Sequence, residues 1–209
     1  NFNGNRAVPR VISMIAHYGA CFLFDDGSMQ FGGGSVNASS QYTGDFTSSY
    51  SGGSYLGREL FGGKRLVKVV GGSSDNTNSH LIALDEEGEI WTWGENSQRE
   101  CGIGPENGVT GRGDVGMGYD DNTDVRQPIN LISDLCFEGN KIVDVWAVQG
   151  NSAALDDAGN LWTWGDNTDG QLGYATSSGP TSTPYCAVPN KINVNCNTHP
   201  ALQKVGCKA

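Results

Sequence analysis

Ile82-Ala83-Leu84-Asp85-Glu86-Glu87-Gly88-Glu89-Ile90-Trp91-Thr92-Trp93-Gly94-Glu95-Asn96-Ser97 and Ala153-Ala154-Leu155-Asp156-Asp157-Ala158-Gly159-Asn160-Leu161-Trp162-Thr163-Trp164-Gly165-Asp166-Asn167-Thr168 align without a gap. In both, an aliphatic run meets acidic residues and then glycine. That is a hairpin turn, because Asp tolerates and Gly readily adopts positive φ. An alternating strand follows, in which a period of two sets Ile90 and Thr92, or Leu161 and Thr163, on one face. Trp91 and Trp93, or Trp162 and Trp164, take the other face. Gly94 and Gly165 then let the chain turn away. Each copy is a hairpin whose aromatic face cannot bury itself, so copies must stack around a shared core.

A more degenerate copy runs from Phe22 through Asp25-Asp26-Gly27 to Phe31-Gly32, with one residue fewer between the turn glycine and the aromatic. Upstream of the three hairpins lie apolar strands: Val11-Ile12-Ser13-Met14-Ile15, Leu66-Val67-Lys68-Val69-Val70 and Ile142-Val143-Asp144-Val145-Trp146. A fourth strand per copy is expected near the preceding proline, Pro128 or Pro189. Four antiparallel strands per repeat is the grammar of a propeller blade. The stretch Asp156 to Gly173, ending in Gly170-Gln171-Leu172-Gly173, resembles the signature of repeats of the regulator of chromosome condensation family. The middle copy departs from that ending with Arg99-Glu100-Cys101-Gly102, and the first lacks it.

The expected fold is all-β: a partial ring of about three four-stranded blades with long Gly/Ser-rich loops. The whole of 1–209 reads as one repeat region, with repeats near 9–63, 64–127 and 128–188, and a further blade beginning at 189–209. The turn glycines Gly27, Gly88 and Gly159 stand further apart than such repeats need. The excess lies in Ser35 to Gly63, Gly104 to Asp124 and Gly173 to Asn197, insertions that project from one face of a propeller if they follow the same strand of each blade. Because three blades and a fraction leave sheet edges unpaired, the chain is expected to be a piece of a longer protein or one contributor to a shared ring. It is expected to pack against further blades of the same polypeptide or other subunits.

Composition agrees with an all-β chain: 31 glycines and only 17% charged residues in 209 favour turns and short strands. A net charge of -10 opposes nucleic-acid binding, which needs clustered Lys and Arg. The short pair Lys64-Arg65 reads as a solvated strand end. The most apolar stretch, Val11 to Phe24, is interrupted by His17 and Gly19, so no membrane insertion is expected. Cys21, Cys101, Cys136, Cys186, Cys196 and Cys207 show no CxxC spacing. They read either as buried thiols or as disulfides, with Cys186–Cys196 the expected pair across a Pro/Asn-rich loop. Asn37-Ala38-Ser39 is an N-glycosylation triplet.

Catalytic chemistry finds no support. His17, His80 and His199 lack metal-ligand spacing, and Asp120 to Asp124 lacks the glycine and closing Glu of a calcium loop. Gly62-Gly63-Lys64 is not a phosphate loop, and no Gly-x-Ser-x-Gly elbow occurs. Arg112-Gly113-Asp114 is a three-residue match of the kind that chance supplies. The tryptophans, which in one branch resembling this family form a light-sensing cluster, take packing roles at alternating strand positions. The expectation is a module that is not an enzyme and has no cofactor. Its expected place is extracellular or on a virion surface, as a structural or adhesive part acting through protein or glycan contacts. The alternative, which the family resemblance implies, is a cytoplasmic adaptor or guanine-nucleotide exchange factor.

Overall fold

The computed structural model describes residues 10–16, 20–32, 55–72, 80–94, 96, 98–103, 125–131, 133–174 and 185–192. Twelve strands among them form three four-stranded antiparallel sheets. The first holds β1 (Val11–Ala16), β2 (Ala20–Phe24), β3 (Met29–Gly32) and β4 (Tyr55–Leu56) in chain order. The second holds β5 (Leu66–Gly72), β6 (His80–Asp85), β7 (Ile90–Gly94) and β8 (Val125–Leu131). The third holds β9 (Ile142–Val148), β10 (Asn151–Asp156), β11 (Leu161–Asp166) and β12 (Tyr185–Lys191). Strand β5 packs against both β1 and β9. The first strands of the sheets are thus neighbours and each sheet runs outward from them, the arrangement of propeller blades.

The register repeats from sheet to sheet. Trp91 stands opposite Ala83 and Trp93 opposite Leu81, just as Trp162 stands opposite Ala154 and Trp164 opposite Ser152. Each first strand carries an irregularity at the same place, passing over Ile12, Val67 and Val143. The first copy needs no deletion: Gln30 lies opposite Phe22 and Gly32 opposite Ala20, the places of Trp91 and Trp93. Phe31 opposite Cys21 takes the place of Thr92, so it is not the counterpart of a tryptophan.

The sheets run out of phase with the repeats expected from sequence. Pro128 lies in β8, which pairs with β7, and Pro189 lies in β12, which pairs with β11. Each proline strand therefore closes the sheet before it instead of opening the next, and Pro189 does not begin a further blade. The reason is positional. Asn130 faces Trp91 and Lys191 faces Trp162, so both prolines sit on an outermost strand, where the missing N–H leaves no ladder bond unmade. The expected insertions shrink accordingly. Tyr55–Leu56 and a 3-10 turn, Arg58–Phe61, occupy part of the first, and β12 occupies part of the third.

One core runs between the sheets. Leu23, Phe61, Ile82, Trp93, Phe137 and Trp164 are all essentially inaccessible to solvent. Burying such side chains is worth about 1.5–3 kcal/mol each, and none of the sheets buries both its faces alone.

Candidate functional site

The hairpin carboxylates are structural anchors. Asp85 Oδ1 accepts from the Glu87 and Glu89 amides, and Oδ2 accepts from the Trp91 indole N–H at 3.0 Å. Asp156 does the same for the Asn160 amide at 2.7 Å and the Trp162 indole at 3.0 Å, with Asn140 and Asn160 side-chain amides on Oδ2. Burial raises the Asp156 carboxyl, but the Asn160 side chain, the Trp162 indole and backbone amides outweigh it. The group stays below the usual carboxylate range. The turn glycines Gly27, Gly88 and Gly159 have φ of 82°, 88° and 85°, a conformation that costs other residues strain.

Two aromatics not singled out by sequence clamp the tryptophans. Phe61 meets Trp91 edge-on at 5.7 Å and Trp93 at 5.7 Å, and Phe137 meets Trp162 edge-on at 5.5 Å and Trp164 at 6.3 Å. Each sits on a one-turn helical connector, Arg58–Phe61 or Ser133–Cys136 and the residue after it, leading into β5 or β9. The signal was present as a second self-match, Phe61-Gly62-Gly63-Lys64-Arg65-Leu66-Val67 against Phe137-Glu138-Gly139-Asn140-Lys141-Ile142-Val143. Gly62 and Glu138 even share a φ of 59° and 56°.

The turns after β7 and β11 are also equivalent, despite their different sequences. Cys101 donates its amide to Asn96 Oδ1 at 3.0 Å, and Leu172 donates to Asn167 Oδ1 at 3.1 Å. Thr92 and Thr163 hydroxyls donate to the Cys101 and Leu172 carbonyls. Arg99 holds a φ of 70° where Gly170 holds 77°, so the middle copy keeps the geometry of the tetrapeptide without its glycine. This turn ties the second sheet to the third. The Glu100 carbonyl accepts the Trp164 indole N–H at 2.8 Å and the Ser152 hydroxyl at 2.7 Å, and His80 Nε2 lies 3.0 Å from that hydroxyl. Burial drives the His80 pKa down to about 4, with the Asn151 backbone opposing it. His80 is therefore a neutral seam residue.

The residues marked from sequence fall into two groups. Gly27, Gly88 and Gly159 lie at hairpin turns with positive φ, Gly94 and Gly165 have positive φ near the ends of β7 and β11, and Trp91, Trp93, Trp162 and Trp164 lie within those two strands. The glycosylation triplet at Asn37 and Cys196 of the expected disulfide lie outside the described residues, as do the Arg112–Asp114 and Asp120–Asp124 stretches; Cys186 is placed only as backbone, opposite Gly165. Cys21 is a buried free thiol, and burial pushes it up to about 12; Cys101 and Cys136 are also buried. Among the described residues no three His, Cys, Asp or Glu side chains are grouped to hold a metal.

Three radial sheets with repeated tryptophan anchors define an all-β propeller of tandem repeats. Profiles of the Regulator of chromosome condensation (RCC1) repeat match residues 158–207 and 142–171; the chain carries RCC1-type repeats. Protein RCC2 of Mus musculus is 28% identical over 162 residues, covering 74% of this chain and 25% of RCC2. The chain thus spans about a quarter of that relative. The RCC1 domain-containing protein RUG3, mitochondrial, of Arabidopsis thaliana is 33% identical over 94 residues, covering 45% of this chain and 17% of RUG3. The crystal structure of yeast RCC1 (Prp20) with Kap60 matches with a TM-score of 0.62 at 19% identity, over 90% of this chain and 38% of that one. These relatives overturn the expectation of an extracellular or virion-surface location: they are intracellular, RUG3 by name a mitochondrial protein. The low charge and the Ser/Thr/Asn-rich loops that suggested an external assembly describe turn chemistry, which is common to propellers in any compartment.

Proposed function

We propose that this chain supplies blades of an intracellular propeller that works by binding other proteins, with the rim of connections between third and fourth strands as its contact surface. The observation that carries the reading is topological. Residues 33–54, 95–124 and 167–184 each join the third strand of a sheet to its fourth, so antiparallel alternation brings all three to the same end of the sheets. Short hairpin turns occupy the other end. Long polar connections on a rigid scaffold are where propellers and similar folds place recognition. A net charge of -10 favours association with basic partner surfaces. The yeast relative was solved with a protein, Kap60, bound to it, which supports protein binding as the mode of action. The buried carboxylates Asp85 and Asp156 are committed to turn and indole hydrogen bonds, a structural use that leaves them unsuited to acid–base chemistry.

The test replaces 105–123, and separately 33–53 and 175–184, with short Gly/Ser linkers in the full-length protein, followed by quantitative affinity capture and melting. The expected result is loss of defined partners with at least one replacement while melting is unchanged. Partner sets that survive all three replacements contradict the reading. Release of fluorescent GDP from small GTPases, measured with the same variants, tells an exchange factor from an adaptor.

A further inference from the structure

The three sheets carry Ala20, Leu81 and Ser152 at one register position, opposite Gly32, Trp93 and Trp164. Only the third has a hydroxyl there, and Ser152 is buried. Its Oγ donates to the Glu100 carbonyl at 2.7 Å and lies 3.0 Å from His80 Nε2. A serine hydroxyl has one proton, which Glu100 takes, so Nε2 carries the hydrogen that His80 gives to Ser152. That suits a neutral ring, the form that burial of His80 favours. One hydroxyl of the third sheet thus joins the first residue of β6 to the turn that follows β7.

That turn lies against the third sheet at every second residue. The Gln98 side chain leaves no room for a Cβ on Gly150. The Glu100 carbonyl takes the Trp164 indole N–H at 2.8 Å as well as the Ser152 hydroxyl, and a Cβ on Gly102 would lie 2.8 Å from the Trp164 indole nitrogen. Glu100 Oε2 in turn accepts the Gln98 amide at 2.8 Å, so the residue that Ser152 holds also holds the start of the turn. Such a hold is needed because Arg99 has a φ of 70° where the third copy has Gly170 at 77°, a shape glycine adopts freely and other residues only at a cost. We infer, on the reading that the rim is the contact surface, that Ser152 is a positioning residue for it: from the third sheet it holds residues 98–103, the root of the connection from β7 to β8, in the shape from which that connection meets its protein partner.

Hydrogen exchange on the full-length protein at neutral pH tests the hold without any partner, and affinity capture on the same variants tests its use. Ser152→Ala should speed exchange of the 98–103 peptide by about tenfold while 82–92 and 153–163 keep their protection, and should weaken by about tenfold the partners that are lost when 105–123 is replaced. Ser152→Thr, which keeps the hydroxyl, should do neither. Exchange at 98–103 that is unchanged in Ser152→Ala, or as fast in Ser152→Thr, overturns the inference, and so does faster exchange with those partners fully retained. If replacing 105–123 loses no partner, the rim reading fails for this connection, and the exchange result alone decides whether Ser152 holds its root. Should Ser152→Ala also loosen 153–163, His80→Leu breaks the bridge from the second sheet's side: faster exchange confined to 98–103 supports the hold, and any other pattern refutes it.

Discussion

Asp85 shows how one side chain fixes a hairpin: its two oxygens take two turn amides and the neighbouring indole. Asp85→Ala leaves those donors partly buried and unpaired, so it should destabilise the full-length protein by about 2–4 kcal/mol in urea unfolding. Asp156→Ala should cost as much. At the seam, His80 stays neutral because its folded pKa of about 4 lies below the ordinary 6.5. Between those values the unfolded chain binds the proton and the folded one does not. Its contribution is therefore complete above pH 6.5 and falls away as the pH drops towards 4, by up to about 3 kcal/mol. The melting temperature should decline more steeply over that window in the wild type than in His80→Asn, whose new side chain is the one the third sheet carries there as Asn151. Equal pH dependence would show that His80 is not the titrating group. Cys21, raised to about 12 by burial, should resist alkylation until the first sheet opens.

Phe61 and Phe137 each link a connector to a strand pair. Phe137→Ala should cost about 3–5 kcal/mol. A double-mutant cycle with Trp162→Leu should show a coupling of about 1 kcal/mol, as edge-on aromatic pairs do; additive effects would deny the contact. At this scale the legibility of the sequence divides sharply. The hairpins could be read because their information is local: acidic residues, a glycine and a strand of period two all fall within a dozen residues. The fourth strands could not. Val125–Leu131 finds β7 across the 95–124 connection, and nothing local tells whether a Pro-bearing strand joins the sheet before it or after it. The connectors were half-legible, since Phe61 and Phe137 repeat with their flanks but lie outside the conspicuous tryptophan motif. Arg99 in a glycine's conformation hid the equivalence of the second turn for the same reason: the geometry persists while the residue type changes.

For the molecule as a whole, the three sheets share one core because the second and third each offer a tryptophan face to the sheet before it. The middle sheet is covered on both sides, and the exposed large apolar side chains among the described residues, including Val67, Val143 and Trp146, all lie on first strands. Propeller class was legible from repetition, because stacking is what an amphipathic hairpin must do. Compartment and partners were not, because polar loops and low charge follow from turn chemistry whatever surrounds the protein. The central claim is that three equivalent RCC1-type sheets radiate from neighbouring first strands. An experimental structure of the full-length protein tests it most directly. The account predicts β1, β5 and β9 side by side at the centre, with the Trp91 and Trp162 indoles on Asp85 and Asp156 and the Trp164 indole on the Glu100 carbonyl. Sheets stacked in another order, or Trp164 turned away from the second sheet, would contradict it.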